Sequence, residues 1–283
     1  MLRNSLLIAF GTALPLGLAT YWAFAGDSKS GAASCCATEL MAAPEAATME
    51  ANAEPFVPAE AFPQDARPVD QATAGSIKGV VKFDGAAPER GTYDMSADAT
   101  CKGLHTAPVP KDELVVKDGM LANVFVTVAK IEGYKFEVPK DPVKLDQKGC
   151  VYTPHVFGIM AGQQLKVSNS DGVTHNVNMA PKKNPPLNQG QPAGSPEIEK
   201  AFKTAETGIP VKCDIHPWMR AIAHVAKHTC FAVSGENGAF EIKGVPPGKY
   251  TVEAIHETLG KQTAEVEVKE KAAAEATFTF KAK

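Results

Sequence analysis

Hydrophobic and polar residues alternate along the segment 77–83. Ile77, Val81 and Phe83 fall on one side of an extended chain, and the two lysines of the segment fall on the other. A period of two residues is that of a β-strand with one buried face. The Asp84-Gly85 pair that follows is typical of a turn. We therefore predict a half-exposed strand that ends at this turn.

Short apolar runs continue toward the C-terminus, separated by turn dipeptides such as Asp118-Gly119, Asn237-Gly238 and Pro247-Gly248. The run 124–128 is apolar on both faces and is expected to be a central strand. A helical period is limited to a turn or two in 196–203. The pattern predicts an all-β protein, with further strands at 114–116, 143–145, 165–167, 222–226, 231–233, 240–242 and 250–252.

The N-terminal quarter has a different pattern. Arg3, an apolar run and the triplet Ala23-Phe24-Ala25 predict a secretory signal peptide over 1–25, with an uncleaved membrane anchor as the alternative. Residues 26–75 are rich in Ala, Pro and acidic side chains, which predicts a disordered linker. The protein is therefore expected to be exported to the periplasm or the cell envelope.

The charge of the chain is small. It has 29 basic and 32 acidic residues, a net charge of −3. Because the linker holds most of the acidic excess, the folded part is close to neutral. No basic stripe of the kind that binds nucleic acid is present in the sequence, so a nucleic-acid partner is not expected.

Three donors for soft or borderline metal ions lie within one short segment. Cys213, His216 and Met219 have the spacing C-x2-H-x2-M, so a thiolate, an imidazole and a thioether can meet on a tight loop. A second imidazole, His175, follows a strand-like run that ends in an Asp-Gly turn. Two His and one Cys in a plane, with a weak axial Met, form an electron-transfer copper site. The sequence therefore predicts a copper site.

With Asn176 after the first histidine and Pro217 after the second, the sequence resembles the cupredoxins, the blue-copper family of plastocyanin, azurin and amicyanin. The loop spacing is most similar to that of amicyanin. The resemblance implies a Greek-key β-sandwich with type 1 copper that alternates between Cu(I) and Cu(II). The implied ligands are His175, Cys213, His216 and Met219.

The resemblance also implies a role for residues around the copper. Asn176 would brace the cysteine loop. The family often has Ser or Thr after the cysteine to meet that Asn, whereas this chain has Asp214, so this second bond remains open. His155 is a candidate group beside the copper loop, with a purely structural role as the alternative. Residues 181–210, rich in Pro and Gly, are expected to be a surface loop that either serves the site or only crosses between sheets.

A second resemblance covers the rest of the folded part. The segment Gly238 to Tyr250 and the start at Gly75 are similar to carboxypeptidase-regulatory-like, transthyretin-like β-sandwiches. We predict that this sandwich is split over 76–139 and 229–283, with the cupredoxin part at 140–228 between the two pieces. Two modules in tandem are the simpler alternative. The resemblance implies a binding or structural module without catalysis.

The six cysteines include one ligand. Cys101 and Cys150 lie in turn-like segments, and export favours a disulfide between them over two reduced thiols. Such a bridge closes a loop of about 50 residues, worth about 4 kcal/mol in the chain-entropy model. Cys230 is expected to be a buried small apolar residue. Cys35 and Cys36 have no assigned role.

The sequence is therefore interpreted as an exported type 1 copper protein that passes single electrons between redox proteins, and not as an enzyme. One alternative is a non-redox β-sandwich of the cell envelope that binds partners or handles copper. A copper oxidase or reductase domain is a weaker alternative, since it needs a second metal cluster.

Overall fold

The computed structural model describes residues 65–282. Within this range every regular element is a strand except the five-residue helix α1 (Ala99–Gly103), so the all-β prediction is confirmed. No helix among these residues is long and apolar enough to cross a membrane. The predicted signal segment 1–25, most of the predicted linker and the Cys35-Cys36 pair lie outside the described residues.

The strands are short and follow one another closely. In chain order they are β1 (Arg67–Pro68), β2 (Gly75–Asp84), β3 (Val116–Lys117), β4 (Met120–Leu121), β5 (Phe125–Val128), β6 (Tyr134–Lys135), β7 (Val143–Gln147), β8 (Tyr152–Thr153), β9 (Val156–Met160), β10 (Gln164–Asn169), β11 (His175–Met179), β12 (Leu187–Gln191), β13 (Ile198–Ala201), β14 (Glu206–Lys212), β15 (Arg220–Ala226), β16 (Phe231–Val233), β17 (Ala239–Val245), β18 (Gly248–His256), β19 (Gly260–Val268) and β20 (Ala273–Lys281).

Strands from both ends of the described range form one pair of sheets, which we call the terminal sandwich. One sheet has the order β16-β5-β18-β19, and the other has the order β17-β2-β4-β3 with β20 parallel to β2. The alternation that predicted β2 gives its buried face, since Ile77 and Val81 are fully buried and Phe83 nearly so. These side chains join a core made by both sheets, which includes Leu121, Val126, Ile242, Val252, Phe278 and Phe280.

Residues 143–226 form a second pair of sheets, the central sandwich. Its sheets have the orders β13-β10-β7-β8 and β12-β11-β14-β15-β9. They share a core of buried apolar side chains, among them Leu145, Val167, Val177, Phe202, Val211 and Val225. The chain therefore leaves the terminal sandwich after β5 and re-enters it at β16, where Phe231 pairs with Thr127.

The surface loop predicted over 181–210 is wrong at three segments, which are strands. Strands β12 and β13 and the first residues of β14 occupy it, and the helical turns predicted at 196–203 give way to β13. Leu187–Gln191 pairs antiparallel with β11, and Ile198 and the neighbouring Phe202 enter the core. Both β12 and β13 are edge strands, where Gly and Pro are tolerated because one side needs no backbone partner.

The predicted linker over 26–75 also ends earlier than expected. Residues Arg67 and Pro68 pair parallel with β6, and the Arg67 guanidinium lies 4.8 Å from the centre of the Tyr134 ring. Val69 packs on the core of the terminal sandwich. A stacked arginine and one apolar side chain are enough to order this stretch against an existing surface, which composition alone does not reveal.

The two sandwiches meet through β5 and β16 on one side and β9 and β15 on the other. Phe125 stacks on the ring of His224 at 4.3 Å between ring centres. Phe125 also joins Val156 and Ala226 in a small apolar cluster of its own. Burial lowers the pKa of His224 to about 3, so this imidazole is neutral and serves as an aromatic surface.

His155 fixes the same junction by polar contacts. Its Nδ1 lies 3.1 Å from the carbonyl oxygen of Arg220, and its Nε2 contacts the carboxylate of Glu257 on the terminal sandwich. Both partners only accept hydrogen bonds, so both ring nitrogens donate and the imidazole is protonated. Burial opposes this charge, but the hydrogen bond and the charge of Glu257 outweigh it and raise the pKa of His155.

This ion pair predicts a pH-dependent stability. A raised folded-state pKa gives stabilisation that is fully present below the unfolded pKa of about 6.5 and is lost as the pH rises through the folded value. We expect Glu257→Gln to lower the free energy of unfolding by about 2 kcal/mol at pH 6 and by less at high pH. Denaturant unfolding of the wild-type and Glu257→Gln proteins, at pH 6 and at higher pH values, tests this prediction.

The matched control for this pair is Glu253→Gln on β18, the strand that ends just before Glu257. It removes a carboxylate from an exposed pair with Lys261 at 2.8 Å, and exposed pairs contribute little. An equal loss of stability in both variants at every pH would contradict the role given to the pair of His155 and Glu257.

Candidate metal centre

The central sandwich brings His175 next to the segment that holds the other predicted ligands. His175 is the first residue of β11, and Cys213 and His216 lie on the connection between β14 and β15. Strand β11 pairs antiparallel with β14, so the start of one strand meets the end of the other. All three side chains are buried, with at most 3% of each exposed.

The loop itself is tight because its ends are bonded to each other. The Cys213 N–H donates to the Met219 carbonyl at 3.3 Å, and the Met219 N–H donates to the His216 carbonyl at 2.9 Å. The His216 N–H donates to the Cys213 sulfur at 3.4 Å. These bonds hold the thiol and the imidazole on the same side of the loop.

The three side chains converge on one point. One ligand atom from each of His175, Cys213 and His216 lies within 4.8 Å of the others. The two Nδ1 atoms are 2.9 Å apart, and the Cys213 sulfur is 3.7 Å from the Nδ1 of His216.

Each imidazole is held from behind by a carboxylate. The Nε2 of His175 lies 2.9 Å from Asp171, and the Nε2 of His216 lies 3.4 Å from Asp98. A carboxylate accepts, so both Nε2 atoms carry the proton, and both Nδ1 lone pairs face the shared point. The two Nδ1 atoms are 2.9 Å apart, and lone pairs this close repel each other unless a cation lies between them. A metal ion at this point fits the donor set.

The environment keeps the first ligand neutral. Burial lowers the pKa of His175, and the nearby His216 acts in the same direction, against the opposing effect of Asp171. A neutral imidazole is the form that binds a metal.

The two carboxylates are themselves fixed. Asp171 accepts from the backbone N–H groups of Gly149 at 2.6 Å and of Cys150 at 2.7 Å. Asp98 caps α1 and accepts from the N–H of Cys101 at 2.8 Å, and this bond lowers the pKa of Asp98. Sequence reasoning missed both residues. The signal for Asp171 was its position four residues before His175, within the turn already noted.

Asn176 contacts the loop that holds Cys213, and Met219 is the last residue of that loop. Met219 is buried in the core of the central sandwich at the end of the loop. The Oδ1 of Asn176 accepts from the backbone N–H of Asp214 at 3.1 Å, which ties the cysteine loop to β11. The role of Met219 as axial ligand stays a prediction.

The carboxylate of Asp214 has partners other than Asn176. It accepts from the amides of Asn178 at 3.0 Å and of Asn188 at 3.2 Å. The side-chain amide of Asn176 donates to Asn188 at 2.7 Å. The cysteine loop is therefore held to β11 and β12 by hydrogen bonds at both the backbone and the side chain of Asp214.

His155 lies at the junction described above. Its hydrogen bonds go to Arg220 and Glu257 and not to a ligand. Trp218 is closer to the cluster, with its ring 5.1 Å from that of His216 and its indole N–H donating to the Cys150 carbonyl at 3.0 Å. Cys150 forms a disulfide with Cys101.

Two parts of the chain are similar to different known proteins. A family model described as the second beta sandwich domain of BOS complex subunit NOMO1-like proteins matches residues 223–279. That match lies mostly in the terminal sandwich and does not extend to half of the chain. No curated protein matches the sequence.

Solved structures similar to this chain include a copper-containing enzyme and cupredoxins. A copper-containing nitrite reductase from Thermus scotoductus is 21% identical over 35% of this chain and 25% of its own, with a TM-score of 0.28. A purple cupredoxin from Nitrosopumilus maritimus is 19% identical over 30% of this chain and 99% of its own, with a TM-score of 0.26. Amicyanin from Paracoccus versutus is 20% identical over 36% of this chain and 97% of its own, with a TM-score of 0.28.

The chain thus spans a quarter of the nitrite reductase. Each alignment concerns about a third of this chain, at TM-scores too low to assign a family. The chain is nearly all-β, with weak similarity to cupredoxins in one part and a β-sandwich family match in another.

Proposed function

We propose that the protein is a type 1 copper protein that carries single electrons between redox partners. The observation that supports this best is the convergence of two imidazole Nδ1 atoms and one thiol sulfur, with both Nε2 atoms bonded to carboxylates. Imidazole and thiolate donors suit copper. Carboxylates behind metal-ligating histidines are a recurring feature of metal sites.

In this proposal His175, Cys213 and His216 would hold the ion, with Met219 as a weak fourth donor. When bound, copper supplies the one-electron couple. The chain keeps the donors buried and braced by Asp98, Asp171 and the loop hydrogen bonds. A donor set that water does not enter and that does not rearrange needs little reorganisation when an electron arrives or leaves.

The proposal extends to the organisation of the chain. Residues 140–228 form a cupredoxin domain between the pieces 76–139 and 229–283 of a transthyretin-like sandwich, and strand pairing supports this division. The N-terminus directs export to the periplasm or cell envelope, with a membrane anchor as the alternative. The protein is not an enzyme, and its partners are redox proteins.

A second candidate function is a non-redox envelope protein that binds partners or handles copper. The match of residues 223–279 to a β-sandwich domain favours it. The test is to load the purified chain with Cu(II) and add a mild reductant. An intense thiolate-to-copper band that bleaches and returns on reoxidation supports electron transfer. A colourless complex, or no copper binding, supports the second candidate.

The axial residue offers a finer test. We expect Met219→Gln to keep the copper and to lower the reduction potential, because an oxygen donor favours Cu(II) over Cu(I). A tenfold stronger preference for the oxidised ion lowers the potential by about 59 mV. Voltammetry of the loaded variant measures this shift.

Met120→Gln is the matched control for that variant, since Met120 lies on β4 in the terminal sandwich. It should leave the potential at the wild-type value. A Met219→Gln protein with the wild-type potential would contradict the axial role.

A further inference from the structure

The disulfide between Cys101 and Cys150 lies against the candidate metal centre. Its Cys101 sulfur is 3.7 Å from the Nε2 of His216, and both cysteines are fully buried. Cys101 belongs to α1, in the connection between β2 and β3, whereas Cys150 follows β7. The bridge therefore joins a connection of the terminal sandwich to the central sandwich beside the ligands.

Each half of the disulfide is bonded to one of the carboxylates behind the histidines. The Cys101 N–H donates to Asp98, which faces His216. The Cys150 N–H donates to Asp171, which faces His175. A continuous chain of contacts thus runs from one imidazole through the disulfide to the other.

The bridge is one of the contacts that hold the segment around Asp98 in place. Asp98 caps a helix of five residues, and helices this short are not stable by themselves. The connection is also held at its base, where Arg90 pairs with Asp112 at 2.6 Å. On either side of the helix, Met95 is buried in the core of the central sandwich, and the His105 Nε2 lies 2.8 Å from the Gly149 carbonyl oxygen. Between these contacts, the covalent link of Cys101 fixes the helix to Cys150, in the connection between β7 and β8.

We propose that the Cys101–Cys150 disulfide positions Asp98 and Asp171 against the two imidazoles and thereby sets the affinity and the reduction potential of the metal centre. The inference rests on the proposed copper function. A carboxylate behind a ligand histidine raises its basicity, and removing such a partner typically weakens metal binding about 10- to 100-fold. A more basic imidazole favours Cu(II), so loss of the disulfide raises the potential.

The first experiment uses the full chain with Cys101→Ala and Cys150→Ala together. We expect copper affinity to fall about tenfold and the potential to rise, measured by competition with a chelator and by voltammetry. Cys230→Ala is the matched control, because Cys230 is a buried free thiol in the terminal sandwich. A double variant that melts at a lower temperature but keeps the wild-type copper affinity, absorption band and potential would show that the disulfide only stabilises the fold. That result would overturn the inference.

The second experiment removes the carboxylate behind His216 in two backgrounds, the wild-type chain and the chain without the disulfide. Asp98→Asn should raise the potential in the wild-type chain and change it much less in the chain without the disulfide, where the carboxylate is no longer held. Equal effects in both backgrounds, or no effect in the wild-type chain, would overturn the inference. Where the double cysteine variant fails to fold, an unchanged potential in Asp98→Asn of the wild-type chain still overturns the inference.

The outcomes also separate this inference from the proposed function. If the copper-loaded wild-type chain shows no thiolate-to-copper band, the proposed function is wrong. If the wild-type chain shows the band and the variants have the same affinity and potential, only the role given to the disulfide is wrong.

Discussion

Copper-loaded Cys213→Ser protein is expected to lack the intense thiolate-to-copper band completely. Cys213 is the thiol at the point where the two Nδ1 atoms meet, and a serine hydroxyl is a much poorer donor for copper. Affinity for the ion should fall about 100-fold or more. Loss of a residue that only hydrogen-bonds to a ligand typically costs about 10- to 100-fold, and Cys213 is a ligand itself. Absorption spectra and chelator competition measure both effects.

Cys230→Ser is the matched control for this substitution. Cys230 is the other free cysteine among the described residues, fully buried in the terminal sandwich, where its sulfur lies 3.5 Å from the Gly244 carbonyl. A serine hydroxyl can donate to the same oxygen. This control should keep the full band. A blue Cys213→Ser protein would show that Cys213 is not the thiolate ligand and would contradict the proposed function.

The largest stability effect is expected from Gly79→Ala. Gly79 lies in β2 between β17 and β20, in register with Phe240 and Ala276. An added Cβ would lie 1.7 Å from the Ala276 carbonyl oxygen, and a backbone atom cannot rotate away. The strands must separate, so we expect a loss of more than about 3 kcal/mol, at the upper end of overpacking effects. Urea unfolding measures the loss.

The control for this glycine is Gly190→Ala in the edge strand β12. A Cβ at Gly190 meets nothing within 4 Å, so its stability should stay within about 0.5 kcal/mol of the wild type. Equal stability of both variants would contradict the close approach of β2 and β20.

Sequence reasoning succeeded where a local pattern carries the information. The alternation around Ile77 predicted β2 because one face of that strand is buried and the other is wet. It also placed Cys230 among the buried apolar residues, as found. The spacing of Cys213 and His216 identified donors that meet in space, because a tight loop keeps near neighbours together.

Sequence reasoning failed where pairing or distant contacts decide the structure. Strand β12 reads as a polar, Gly-containing loop, and only its partner β11 makes it a strand. Asp98 lies 118 residues before His216, and no spacing rule reaches that far. Asp171 was within reach of sequence reasoning, but a carboxylate in a turn has many ordinary roles.

The nearness of the disulfide to the ligand loop has a consequence for how the chain matures. Cys213 lies beside both histidines, Cys101 lies beside His216, and Cys150 lies beside His175. A wrong pair that includes Cys213 would therefore consume the thiol that the metal needs. Synthesis proceeds from the N-terminus, and earlier segments fold first. Cys101 and Cys150 therefore both emerge before Cys213, and this order favours their pairing with each other, which leaves Cys213 free for the ion.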